Sequence, residues 1–195
     1  MNVNELSYSP RPEVPVVTAE LVDFQAAGIR LDLLRLDSVH PMVSGNKWFK
    51  LKYALEAVLR SDCPRVLSFG GAWSNHIHAL AYAGWERGIE TVAVIRGERP
   101  SRLSDTLLDA QRWGMSLEFV SREQYRNKYD EVFLQSLRAR YGDFHMLAEA
   151  GSGDWVVAGC REILTLCDAA DYDLICCACG TGGTLAGLIA GKPGG

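Results

Sequence analysis

An excess of positive charge is missing from this chain. Twenty Lys and Arg face 24 Asp and Glu, a formal net charge of −4, and that balance does not invite a polyanion such as nucleic acid. A basic flank followed by an apolar run is also absent between Met1 and Glu13, so no secretory signal is read and a cytoplasmic setting is expected. One charge-free stretch exists, Leu174 to Gly191, but five of its 18 residues are glycine. It reads as a strand, a loop and a helix, not as a membrane span. Repeats, low-complexity tracts and flexible linkers are lacking too.

The six cysteines (Cys63, Cys160, Cys167, Cys176, Cys177 and Cys179) lack the second ligand pair that a zinc site would need, so no metal is expected. Cys176 and Cys179 have C-x-x-C spacing within the apolar run Leu174-Ile-Cys-Cys-Ala-Cys179. There they are expected to be free thiols acting as small buried hydrophobes. His76 and His78, two residues apart on a helix, would point about 200° from each other and could not easily share a metal.

With 48% hydrophobic and 23% charged residues over 195 positions, the chain has the composition of one large globular domain or two small ones. Its pattern starts with an extended arm punctuated by Pro10, Pro12 and Pro15 and a strand over Ile29 to Leu36. Helix and strand then alternate. Leu51, Ala54, Leu55, Val58 and Leu59 fall at helical spacing, and Ser61-Asp-Cys-Pro64 ends that helix before a strand over Val66–Phe69. Helix Asn75–Arg87 stops at Gly88 before strand Thr91–Ile95, and helix Leu103–Trp113 stops at Gly114 before strand Ser116–Val120. Ser121 and Gln124 form a capping box for one long helix to Tyr141. Strand Phe144–Leu147, helix Asp154–Cys167, strand Leu174–Ala178 and a helix from Thr184 complete the series. The fold expected is α/β with a parallel sheet, in which ligands bind at the carboxyl ends of strands.

Two post-strand loops are glycine-rich and lead into helices: Gly70-Gly-Ala-Trp-Ser-Asn-His76 and Gly180-Thr-Gly-Gly-Thr184. Backbone N–H groups at such helix starts make an anion site, although the glycines could equally serve only tight turns. Leu185 breaks a dinucleotide fingerprint, and Ala186 and Pro193 break a P-loop, which leaves a simple phosphate as the guest. Only five of the 20 basic residues are lysines, and Lys47, Lys50 and Lys52 fall together. They could form a solvated basic face. Alternatively, Lys47, at a helix start near other cations, would have a lowered pKa and act as an amine nucleophile. A reactive lysine beside a single-phosphate cradle suggests pyridoxal 5'-phosphate.

Ser44-Gly-Asn-Lys47-x-x-Lys-Leu, Gly-Gly-x-x-Ser74-Asn75-His76 and Gly180-Thr-Gly-Gly-Thr184, in this order, closely resemble the 1-aminocyclopropane-1-carboxylate deaminase/D-cysteine desulfhydrase family. The resemblance runs from about Gly45 to Gly191. It implies a three-layer αβα fold of the tryptophan synthase β type (pyridoxal-phosphate fold type II). Residues 1–49 and 154–195 would belong to a larger cofactor domain, incomplete in this chain, and 50–153 to a smaller α/β domain. By the same resemblance Lys47 carries the cofactor and moves protons, Asn75 contacts the cofactor ring oxygen, and Gly180, Thr181, Gly182, Gly183 and Thr184 hold its phosphate with help from Lys50. Ser74 and His76 would face a small amino-acid substrate. Trp73 and His78-Ala79 depart from the family pattern, which has Gln and Arg-Gln there. The activity implied is deamination or β-elimination to a 2-oxo acid and ammonia, with homo-oligomeric assembly. A phosphate-ligand module, or an inactive fragment of such an enzyme, is the alternative.

Overall fold

A computed structural model describes residues 13–151 and 153–192 of the chain; Pro10, Pro12 and Ser152 lie outside them. The centre is a four-stranded parallel sheet in the order β5-β4-β3-β6, made of β3 (Arg65–Gly70), β4 (Glu90–Arg96), β5 (Ser116–Val120) and β6 (His145–Leu147). Period-two alternation sends its side chains to two cores. Leu67, Phe69, Val92, Val94 and Val120 meet Tyr125 of α5 (Arg122–Arg126) with Leu134 and Leu137 of α6 (Glu131–Tyr141). Val66, Ala93 and Ile95 join the core formed with α2 (Asn46–Leu59), α3 (Asn75–Arg87) and α4 (Asp105–Arg112). The result is the expected α/β sandwich of three layers.

Two more helices, α7 (Asp154–Arg161) and α8 (Gly183–Gly191), pack in series onto α2. Small residues make this possible. A Cβ at Gly159 would stand 1.9 Å from the Phe49 carbonyl oxygen, and one at Gly187 would stand 2.3 Å from Cys160 Cβ. The backbones of α2, α7 and α8 are therefore in direct contact. Before them, a short antiparallel pair joins β1 (Val16–Thr18) to β2 (Asp32–Leu34), flanking α1 (Val22–Ala26).

Several local stop and start signals act as read from the sequence. Gly88 adopts φ +67° after α3, Gly114 adopts φ +81° after α4, and the Ser121–Gln124 capping box forms. Other expectations need correction. The strand expected over Ile29–Leu36 is three residues long, because only Asp32–Leu34 finds a partner, in β1. The long helix expected to reach Tyr141 is two helices, interrupted at Asn127–Asp130, and Asp130 starts the second. Helix Asp154–Cys167 tightens to a 3₁₀ turn from Glu162 to Leu166. Leu174–Ala178 forms no strand, since no neighbour among the described residues supplies a ladder. Cys176 and Cys179 are consequently exposed and not buried, whereas Cys160 is buried; all six cysteines are free. Among the described residues no helix is long and apolar enough to cross a membrane.

Gly159→Ala should lower the unfolding free energy by about 3 kcal/mol, the upper end for overpacking, because a backbone oxygen cannot rotate away. Gly88→Ala, at a positive φ but in open space, should cost about 1 kcal/mol. Urea unfolding of both variants checks the order; equal losses would show that the α2–α7 contact is not the tight one.

Candidate functional site: a lysine pair between two glycine-started helices

The helices α2 and α8 both begin on glycine caps without a side-chain acceptor: Gly45 at φ +67° and Gly182 at φ +79°. Their first-turn N–H groups therefore lack a side-chain cap, and the positive ends of both helix dipoles are left for an anion. Asn46 ties the two starts together, its Nδ2 donating to Thr184 Oγ1 at 2.8 Å. Its Oδ1 accepts from Lys47 Nζ at 3.2 Å. One asparagine thus orients both the lysine and the loop hydroxyl.

Lys50, one turn further along α2, is 4% exposed. Its Nζ donates to Ala150 O at 3.2 Å and lies 3.5 Å from Gly151 O. Ala150 holds φ +60°, the one positive φ at a non-glycine among the described residues, a strained state that persists where surroundings impose it. Gly183 closes the other side: a Cβ there would lie 2.9 Å from Val156 Cγ1 and 3.5 Å from Lys50 Nζ. The space beside Lys50 is therefore one that a side chain at 183 would fill.

Burial is the main force on this cluster. It lowers the Lys47 pKa to about 8, with the nearby Lys50 charge adding to the effect. It also lowers that of Lys50 and raises that of the Cys160 thiol beside them. His76 is pushed down to about 3 by burial and then by the two lysines, so it is neutral. Its Nε2 meets Ser68 Oγ at 2.9 Å, while Ser68 donates to Leu147 O at 2.8 Å. With its one proton used on Leu147, Ser68 must accept, so Nε2 carries the imidazole proton. The other nitrogen, Nδ1, is a buried acceptor without a hydrogen bond.

The structure brings Lys47, Lys50, Gly183 and Thr184 together. Gly180 and Thr181 are exposed on the approach to α8. The second loop follows β3. Ser74 caps α3 by accepting from Ile77 N, Asn75 is exposed, and Ser104 Oγ pins the loop by donating to Ala72 O. His76 lies beneath this loop, in the interior. Trp73 is 72% exposed. His78 turns the other way, to Asp109 and Trp113. Asn46, Ser68 and Cys160 were missed as site residues. Adjacency to Lys47 was a usable signal for Asn46; nothing in the sequence marked the other two.

A phosphate-bearing aldehyde fits these residues. The amine of Lys47 is near neutrality, a buried ammonium stands beside the loop, and the cradle at Gly183 would be closed by any side chain.

Comparison with known proteins agrees. The chain is 33% identical to a putative 1-aminocyclopropane-1-carboxylate deaminase of Thermotoga maritima, over 84% of this chain and 54% of the relative. It is 26% identical to a bifunctional, mitochondrial D-cysteine desulfhydrase/1-aminocyclopropane-1-carboxylate deaminase of Arabidopsis thaliana, over 85% and 45%. Among solved structures, a homologue of 1-aminocyclopropane-1-carboxylate deaminase superposes with TM-score 0.74 at 24% identity, covering 94% of this chain and 59% of that one. A pyridoxal 5'-phosphate-dependent aspartate racemase superposes with TM-score 0.68 at 22% identity, covering 90% and 51%. The resemblance read from the motifs is borne out, as is the pyridoxal-phosphate fold type II architecture. The chain spans about half the length of the curated relatives it matches. No protein-family model matches it.

A lowered pKa leaves Lys47 half neutral near pH 8, against about 10.4 for an ordinary lysine. Competitive labelling with an amine reagent should therefore give a Lys47 midpoint at about 8. Lys50→Met removes a charge that disfavours the ammonium, so the midpoint should move up. A midpoint in the ordinary range in the unmodified chain would contradict the burial of this amine.

Proposed function

We propose that this chain forms the cofactor-anchoring part of a pyridoxal 5'-phosphate-dependent deaminase or lyase. Its substrate would be a small amino acid of the D-cysteine or 1-aminocyclopropane-1-carboxylate type, converted to a 2-oxo acid and ammonia. The observation that carries this reading is the arrangement at Asn46: one side chain joins a lysine whose pKa is lowered to about 8 to the threonine of a glycine-started helix, with the buried Lys50 alongside. The names of the similar proteins support the same class of reaction.

In this reading Lys47 would hold the cofactor at its aldehyde, by condensation with loss of water, Gly180, Thr181, Gly182, Gly183 and Thr184 would hold its phosphate, and Lys50 would balance the charge. When bound, the cofactor supplies an electron sink that delocalises negative charge developing on the substrate. Lys47 Nζ, neutral above pH about 8, can accept a proton and return it. Asn75, exposed at the start of α3, contacts the cofactor ring oxygen. Ser74, whose oxygen accepts from Ile77, keeps its hydroxyl proton to donate to the substrate carboxylate. His76 stays neutral, so it adds no positive charge beside Lys47, and its buried, unpaired Nδ1 is the ring atom it would offer toward a substrate. A division into a smaller domain (50–153) and parts of a larger one (1–49 and 154–195), a homo-oligomeric assembly and a cytoplasmic setting belong to the same reading.

One observation favours a second reading. Leu174, adjacent to the phosphate-loop approach, is 78% exposed and Ile175 is 44% exposed, which leaves an apolar segment uncovered next to the site. The chain would then bind the phosphate group without turnover, as a phosphate-ligand module or an inactive portion of such an enzyme.

Supplied with pyridoxal phosphate, the chain should develop a visible absorbance band that borohydride removes. Lys47→Ala should abolish it, and Lys52→Ala, whose amine is held by Glu162 at 2.7 Å, should not. Release of pyruvate, sulfide and ammonia from D-cysteine, or of 2-oxobutyrate and ammonia from aminocyclopropane carboxylate, establishes the enzyme. The band without either product selects the second reading, and a band that survives in Lys47→Ala refutes the lysine assignment.

A further inference from the structure

We propose that a cavity at the carboxyl ends of β3, β4 and β5, on the α5 side of the sheet, binds a small organic anion carrying at least two negative charges. The cavity measures about 730 Å³, within the usual range for small-molecule sites. None of Lys47, Lys50, Asn75 or His76 lines it, so it does not rest on the cofactor assignment.

Its lining is strongly cationic in a chain whose net charge is −4. Arg96 comes from the end of β4, Arg122 and Arg126 from α5, and Lys128 from the turn after it, against a single acid, Glu149. Lys128 and Glu149 pair at 3.3 Å and largely cancel. Arg96, Arg122 and Arg126 are exposed and make no ion pair among the described residues, which leaves three guanidinium groups around one space. Like charges gathered around a cleft raise its positive potential and draw an anion to it. Arginine is also the side chain best matched to carboxylate and phosphate, since its planar fork can donate two bonds at once.

An aromatic side chain backs the same space. Tyr125 is 4% exposed, and its enclosed hydroxyl lies beside the Glu149 carboxylate. Burial, followed by the neighbouring Glu149, raises its pKa far above the ordinary range, so the hydroxyl stays protonated beside that carboxylate. The ring of Tyr125 also orders the cations: Arg96 lies 5.8 Å and Lys128 4.6 Å from its centroid. On its other side Arg96 lies along the β3 loop, its terminal nitrogen at van der Waals distance, 3.8 Å, from where a Cβ at Gly71 would stand. The guanidinium therefore lies between the Tyr125 ring and the β3 loop, with its donors open to the cleft.

Isothermal titration of the full chain with inorganic pyrophosphate and, separately, with citrate tests this, with and without saturating pyridoxal phosphate. With the cofactor present, at least one probe should bind at a single site; pyrophosphate alone identifies a phosphate ligand and citrate alone a polycarboxylate. Arg96→Gln/Arg122→Gln should weaken that site at least tenfold. Glu149→Gln, which removes the acid and frees Lys128, should tighten it. Arg60→Gln, on an exposed helix end, should change nothing. Without the cofactor, the Gly180–Thr184 loop is open to pyrophosphate as a second site; binding there survives in the double variant, while the first site is lost. If neither probe binds, or if the double variant binds both as the unmodified chain does, the proposal is overturned.

Discussion

Everything at the lysine pair depends on how closely α7 can approach α2. Only glycine at 159 lets the α7 backbone reach the Phe49 carbonyl, and only glycine at 187 lets α8 reach Cys160 in turn. This stacking puts the first turns of α2 and α8 side by side, so that Asn46 spans the gap to Thr184. It also buries Lys50 against Ala150 and Gly183. A side chain at either glycine would separate the helices and, with them, the lysine and the anion cradle. Packing and chemistry are thus set by the same small residues.

Desolvation then determines the protonation states. Two lysines lie close to a neutral imidazole and a neutral thiol, and the Lys50 charge adds to burial in disfavouring the charge on Lys47. Lys50 keeps carbonyl partners, which suit an ammonium. Among the described residues Lys47 has only the amide oxygen of Asn46, and it is the one whose pKa falls to about 8. The division of labour between a charge-balancing lysine and a nucleophilic one follows from these unequal surroundings, although both residues sit on the same helix.

Much of this was legible in the sequence because it is local. The glycine stops at Gly88 and Gly114, the Ser121–Gln124 box, and the junction motifs at Lys47, Ser74 and Gly180 are each set within a few residues. What escaped depends on distant partners. The run Leu174–Ala178 has strand composition, yet without a neighbouring strand it forms no ladder and exposes Cys176 and Cys179. The interruption at Asn127–Asp130 was hidden by continuous helical propensity. It arises where Tyr125 and Tyr129 both turn their rings toward Phe69, 6.4 and 5.3 Å away, and where Lys128 reaches Glu149. His76 could be placed on α3 by its position after Ser74. Its burial on Ser68 could not, since that contact crosses from helix to sheet.

The central claim is that Lys47, and neither of its two neighbouring lysines, is the amine delivered to the cofactor aldehyde. Borohydride reduction of the chain in the presence of pyridoxal phosphate, followed by proteolysis and mass mapping, tests it directly. A stable pyridoxyl-phosphate mass increment on the peptide at Lys47, with Lys50 and Lys52 unmodified, is the predicted result. An increment on Lys50 or Lys52, or an even spread over all five lysines, would contradict the account.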